Sequence, residues 1–280
     1  MRRPTPARAR SRAWIAAGLC CAATASMAQP QAAPASKPKP KASRPEPALP
    51  ARWRESFEAF DAADRAAAPK PGGVLFVGSS SIRLWNDLEQ QFEDPVAVVK
   101  RGFGGSRLQD TTDHLRRLVL PYKPRVVVVY AGDNDLAEGR SPQQVFKSFE
   151  DFVEGVHAEL PATRIAFVSI KPSPLRLALM RSAEETNARI AAFCRNDPRL
   201  DYINVWSPML GNDGRPREEL FLPDRLHLNA QGYALWKSVI ARHLIERAEP
   251  AAAAALETSG RPLTPPSATT PEPAPPDPDR

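Results

Sequence analysis

The chain has 280 residues, 42% of them hydrophobic, with 31 prolines and a formal charge of +6. Five arginines and no acid lie within residues 1–28, so a chain without that segment carries only +1, and no nucleic-acid partner is expected from the basic balance. Beyond residue 28 the only cysteine is Cys194, which excludes an intramolecular disulfide.

Residues 1–28 read as a secretory signal. Arg2, Arg3, Arg8, Arg10 and Arg12 form a basic n-region, residues 14–25 an apolar small-residue run, and Ser26-Met27-Ala28 a small-x-small cleavage site. The apolar run is shorter than the roughly 20 residues of a membrane span. Cys20 and Cys21 lack the preceding pattern of a lipoprotein box. An exported protein, periplasmic or secreted, is therefore expected. Residues 29–50, rich in Pro, Ala and Lys, read as a disordered tether, and residues 249–280, Ala-rich and then crowded with Pro, Thr and Ser, as a disordered tail. Such ends offer at most a weak association with the cell envelope. Residues 51–248 fit one domain of ordinary size, whose oligomeric state the sequence leaves open.

Within that domain short apolar runs alternate with segments of helical period. Val74-Leu75-Phe76-Val77 is the first strand, bounded by glycines, and residues 82–91 are helix-like. Val96-Ala97-Val98-Val99 is the second strand, followed by a helical stripe of Leu108, Leu115, Leu118 and Val119 over residues 107–120. Val126-Val127-Val128-Val129-Tyr130 is the third. Ser141-Pro142 then opens a helix carrying Val145, Phe149, Phe152, Val153 and Val156. Residues 164–170 are the fourth strand and 202–205 the fifth, with helices over 175–194 and 229–245. The alternation predicts an α/β fold, a three-layer α/β/α sandwich around a five-stranded parallel sheet, with chemistry at the carboxyl ends of the strands.

Four motifs fall at or near such ends. Gly78-Ser79-Ser80-Ser81 follows the first strand; a serine there presents its hydroxyl in the crevice, or caps the next helix. Gly102-Phe103-Gly104-Gly105 follows the second, where glycine lets a backbone N–H approach a ligand or simply makes a turn; the spacing is not that of a dinucleotide fingerprint. Gly132-Asp133-Asn134-Asp135 follows the third: Asn134 either caps a helix or donates to a developing oxyanion, and its acids lack nearby His or Cys to make a metal site. Asp224 and His227 precede the last helix, with Asn229 as its cap, and a spacing of three lets the carboxylate reach the ring. The other histidines, His114, His157 and His243, have no such context. Lys171-Pro172-Ser173-Pro174, after the fourth strand, reads as a rigid loop that could border a pocket.

In this order and at these places the four motifs resemble those of the SGNH (GDSL-like) hydrolase superfamily over residues 74–239. The resemblance implies a flavodoxin-like strand order. It also implies Ser80 as nucleophile, His227 as base, Asp224 as its orienting acid, and Ser80 N–H, Gly105 N–H and the Asn134 amide as oxyanion donors. One position departs: the family commonly has Asp before the nucleophile, and this chain has Ser79, so the register among three serines rests on Gly78.

The implied activity is hydrolysis of carboxylic esters, of short acyl or acetyl groups, through an acyl-enzyme. It requires no metal and no organic cofactor. The substrate would be a small-molecule or glycan ester. Two other readings stay open: an acyltransferase using the same residues, and a non-catalytic envelope-binding module on the same fold. A peptidase reading is weaker, since the resemblance points to esters.

Overall fold

The computed structural model describes residues 46–92 and 97–246. The expected signal, the tether up to residue 45, the tail, and Val96 of the second expected strand lie outside the described residues. Among the described residues five strands pair in parallel: β1 (Val74–Gly78), β2 (Val98–Gly102), β3 (Val126–Tyr130), β4 (Arg164–Val168) and β5 (Leu200–Ile203). Their order is β2-β1-β3-β4-β5, the flavodoxin-like arrangement expected. β1, β3 and most of β4 are buried along their length, which is why they read as unbroken apolar runs.

Alternate side chains of each strand face opposite layers. Leu75, Val77, Val127, Val129, Ile165 and Phe167 pack against α1 (Arg54–Ala66), α4 (Leu108–Asp113), α5 (Leu115–Leu118), α7 (Pro142–Glu159) and α8 (Met180–Cys194). Val74, Phe76, Val126, Val128, Ala166 and Val168 pack against α2 (Ser80–Arg83), α3 (Leu88–Gln91) and α9 (Ala230–Glu246). Each Val, Leu, Ile or Phe among them contributes about 1.5–3 kcal/mol by leaving water. The second layer is aromatic: Trp85 stacks on Tyr233 at 5.0 Å, and Tyr130 meets Trp236 edge-on at 4.8 Å.

The helix over Pro142–Glu159 begins as expected. Ser141 Oγ accepts from Gln144 N–H while Gln144 returns a bond to Ser141 N–H, a capping box ahead of the proline. Elsewhere the boundaries differ. β2 runs three residues further than its apolar run, through Lys100 and Arg101 to Gly102, because it is an edge strand whose polar residues find partners. Lys100 Nζ donates to Trp85 O at 3.0 Å, and Arg101 pairs with Asp64 and donates to Tyr122 Oη at 2.6 Å. β5, also at an edge, starts two residues earlier than 202 for the same reason, with Asp201 bonded to His243 Nδ1 at 3.0 Å. The helical segment 82–91 is two short helices with buried Trp85 between them, and 107–120 breaks at His114. Helix α1 has no counterpart among the expected elements. Residues 46–50, assigned by composition to the tether, dock on the domain: Glu46 bonds His114 Nδ1 at 3.0 Å, and Leu49 packs on the core.

The carboxyl edge of the sheet is shaped by two facing glycines, Gly78 and Gly102, paired across β1 and β2. Gly78 has φ of 141°, and a Cβ there would lie 1.9 Å from Tyr130 O. A Cβ on Gly102 would lie 2.3 Å from Arg83 N. The chain therefore leaves β1 sharply into α2, with the loop after β2 laid directly against it.

Candidate functional site

Ser79 N–H still donates to Tyr130 O, extending the ladder by one residue, and its carbonyl accepts from Ile82 and Arg83 to start α2. This turn gives the three serines different surroundings. Ser79 and Ser81 are fully buried; Ser79 Oγ meets no partner, and Ser81 Oγ accepts from Lys171 Nζ at 3.3 Å. Ser80, first in the helix, is half-buried, and its Oγ lies 3.1 Å from His227 Nε2.

His227 comes from the loop before α9, and that loop is built around Asp224. Its Oδ1 accepts the backbone N–H groups of Leu226 at 3.0 Å and His227 at 2.9 Å, and its Oδ2 faces His227 Nδ1 at 2.6 Å. The spacing of three thus works through an Asx turn, with Arg225 at φ 59° as its tight corner. Leu222 N–H closes the loop onto His227 O at 2.8 Å, and Leu175 N–H ties the loop after β4 to Arg225 O at 3.0 Å. Asn229 ends it as the cap of α9, its Oδ1 accepting Gln231 and Gly232 N–H.

Partial burial pushes the Asp224 carboxyl up, but hydrogen bonds from His227 N–H, the His227 ring and Leu226 N–H outweigh it and hold the group at about 2. An ionised carboxylate only accepts, so the proton in the contact sits on His227 Nδ1. That tautomer leaves the Nε2 lone pair facing Ser80 Oγ. The chain Asp224–His227–Ser80 is thus set up to draw a proton from the serine hydroxyl.

Backbone and amide N–H groups of these motifs keep hydrogens to spare. Ser80 N–H and Gly105 N–H donate to no protein acceptor among the described residues. Asn134 is the second residue of the short helix α6 (Asp133–Ala137), which Gly132 opens two residues past the end of β3. Its Nδ2 donates to Ser106 O at 3.0 Å, and a –NH2 group has a second hydrogen to offer. Asn134 Oδ1 accepts from Arg176 at 2.8 Å.

Behind this surface lies a buried charged cluster. Lys171 Nζ donates to Tyr130 Oη and Asp133 Oδ2, each at 3.0 Å, besides Ser81 Oγ. Arg176 also approaches Asp133 Oδ2, at 3.0 Å. Burial alone would raise the Asp133 carboxyl; the Lys171 and Arg176 cations outweigh it and keep the group below its usual value. Burial pushes the Tyr130 phenol well up, so it stays neutral. Asp135 Oδ2 accepts Leu108 N–H at 3.1 Å, and burial raises this carboxyl to about 6 against that bond. The two acids of the motif therefore face protein cations and a backbone amide. A small pocket is bounded by Asp133, Lys171, Arg176, Ile170 and Trp206, without Ser80, Asn134 or His227 in its wall.

The structure thus brings Ser80, Asp224 and His227 into one hydrogen-bonded chain, with the loop of Gly105 and Asn134 joined through Ser106. It adds residues that the sequence reading passed over. Lys171 stood there as part of a rigid loop and Arg176 as an unremarked helix residue; the signal available was a cation directly after a buried strand, at the sheet edge where sites form. The other histidines lie apart: His114 pairs with Glu46, His157 with Thr163 O, and His243 with Asp201.

No curated protein matches this chain significantly. Solved structures share its fold. A GDSL-like lipase from Bacteroides thetaiotaomicron superposes with a TM-score of 0.59 at 22% identity, over 69% of this chain and 98% of that one. A candidate acylhydrolase from Bacteroides fragilis gives 0.61 at 20%, over 71% and 99%. A structure described as a candidate platelet activating factor from Streptococcus pneumonia gives 0.62 at 17%, over 69% and 92%. Residues 72–235, more than half of the chain and including every residue of the Ser80 cluster, match one family throughout, and the protein belongs to the GDSL-like Lipase/Acylhydrolase family.

Proposed function

We propose that this protein is an exported serine esterase that hydrolyses carboxylic esters of short acyl or acetyl groups, on a small molecule or a glycan, through an acyl-enzyme on Ser80. The observation that carries the reading is the unbroken chain from Asp224 Oδ2 through His227 to Ser80 Oγ, with contacts of 2.6 and 3.1 Å. His227 Nε2 takes the hydroxyl proton as Ser80 Oγ attacks the ester carbonyl carbon. Ser80 N–H, Gly105 N–H and the free Asn134 amide hydrogen receive the oxyanion. The tetrahedral adduct collapses as His227 returns the proton to the leaving alcohol. Water then attacks the acyl-serine by the same route, and the acid is released.

Hydrolysis of p-nitrophenyl acetate by the purified protein, beside Ser80→Ala and Ser79→Ala, tests the chemistry. Turnover falls by at least about 10⁴ in Ser80→Ala. Ser79→Ala keeps it, because Ser79 Oγ is buried with no partner to lose. Near-wild-type turnover in Ser80→Ala would sink the assignment. A series from acetyl to decanoyl esters tests acyl length, with the fastest turnover expected at acetyl. Export is tested by the N-terminal sequence of protein recovered outside the cytoplasm, which should begin at Gln29.

A further inference from the structure

The peptide between Gly104 and Gly105 is held from its carbonyl side. Trp53 Nε1 donates to Gly104 O at 2.9 Å. The C=O and N–H of one trans peptide point in opposite directions, so this bond turns the Gly105 N–H away from Trp53. Gly105 has φ of 67°, in the left-handed region, and its N–H meets no protein acceptor among the described residues. Trp53 cannot easily swing away, being 1% exposed and set edge-on against Phe103 at 5.0 Å. A buried indole N–H needs an acceptor, and Gly104 O is the one it uses. Trp53 precedes residue 72, where the family match begins, so it lies outside the segment shared with the family.

We propose that Trp53 is a positioning residue for the oxyanion pocket, its indole N–H fixing the Gly104–Gly105 peptide so that Gly105 N–H faces the ester oxygen; this rests on the esterase reading above. Two successive glycines make the least restricted peptide a chain can have, and rotation of that unit would take the donor out of the pocket. The bond from Trp53 removes that freedom before substrate arrives. Because an oxyanion draws on its donors more strongly than a ground-state carbonyl, loss of this restraint falls on kcat rather than on KM.

The test compares Trp53→Phe with Phe57→Leu in the full chain, using p-nitrophenyl acetate kinetics, thermal unfolding and the rate of inactivation by a fluorophosphonate. Phe57 belongs to the same aromatic cluster, 5.4 Å from Phe103, with the Arg117 guanidinium over its ring at 4.7 Å, and it has no N–H to donate to the Gly104–Gly105 peptide. Trp53→Phe is expected to lower kcat about tenfold with KM within about twofold, and to slow inactivation in parallel. Phe57→Leu is expected to lower Tm at least as far while keeping kcat within about twofold. If Trp53→Phe does not fold, benzothienylalanine at position 53, which keeps the ring shape without the N–H, carries the same expectation. A folded Trp53 variant with wild-type kcat overturns the proposal, as does a loss of kcat in Phe57→Leu that matches that of Trp53→Phe. A wild-type protein without esterase activity, or an active Ser80→Ala, strikes the esterase reading itself and the proposal with it.

Discussion

Arg176 donates a hydrogen bond to Asn134 Oδ1 at 2.8 Å, and this contact decides which way the Asn134 amide faces. A guanidinium has no acceptor, so the oxygen must be the atom turned toward it. The –NH2 group is then on the other side, one hydrogen on Ser106 O and one free. Arg176 is held in turn by Asp133, whose charge Lys171 shares.

Arg176 is expected to act through Asn134. Asn134→Ala should lower kcat by about 10²–10³, the usual loss for one oxyanion donor, and Arg176→Ala by about tenfold with KM little changed. In the Asn134→Ala background the second substitution should add almost nothing, because there is no amide left to orient. Steady-state kinetics on the four proteins of this cycle measure the coupling. Losses that simply multiply would show that the two side chains act separately.

Asp224 sets a pH dependence whose sign is defined. Its folded value of about 2 lies below the ordinary 3.8, so the carboxylate's stabilising contribution is complete above about pH 4 and is lost as pH falls toward 2. Across milder acid the carboxylate therefore stays ionised. There kcat/KM is not expected to depend on the Asp224 carboxyl, and an acid limb owed to that group should appear only as pH falls toward 2. Asp224→Asn should keep the fold yet lower kcat by up to about 10⁴, since its amide donates to Nδ1 and moves the ring proton to Nε2. Rate profiles of the two proteins against pH provide the comparison.

Lys171 is the buried cation behind the site, its side chain 1% exposed. Lys171→Met should lower stability by about 3–5 kcal/mol, because Asp133 is left buried with only Arg176 to balance it. Lys171→Met combined with Asp133→Leu removes both charges and should recover much of that loss. Denaturant unfolding of both variants measures the difference. Equal destabilisation in the single and double variants would mean that Lys171 matters for packing alone.

Interior strands were legible where edge strands were not. Val74–Gly78 and Val126–Tyr130 are covered on both faces, so burial demanded apolar residues at every position and the runs announce themselves. The edge strands Val98–Gly102 and Leu200–Ile203 carry Lys100, Arg101 and Asp201, whose partners come from distant segments, and an apolar-run criterion displaces both. Helix α1 is hard to see in the sequence because its own large apolar residues are only Phe57 and Phe60, within an alanine-rich stretch after Trp53.

The sequence by itself determined the layered α/β plan, the order of the strand-end motifs, and the Asp224–His227 pair, whose contact spans three residues and closes locally. Tertiary structure alone decided which of three adjacent serines meets His227, 147 positions away, because that depends on how Gly78 turns the chain out of β1 against Tyr130. It alone also supplied Trp53, Lys171 and Arg176. Their polar atoms act on the site through contacts with Gly104, Asp133 and Asn134, each from a different element, and no periodicity or spacing in the chain encodes such a meeting.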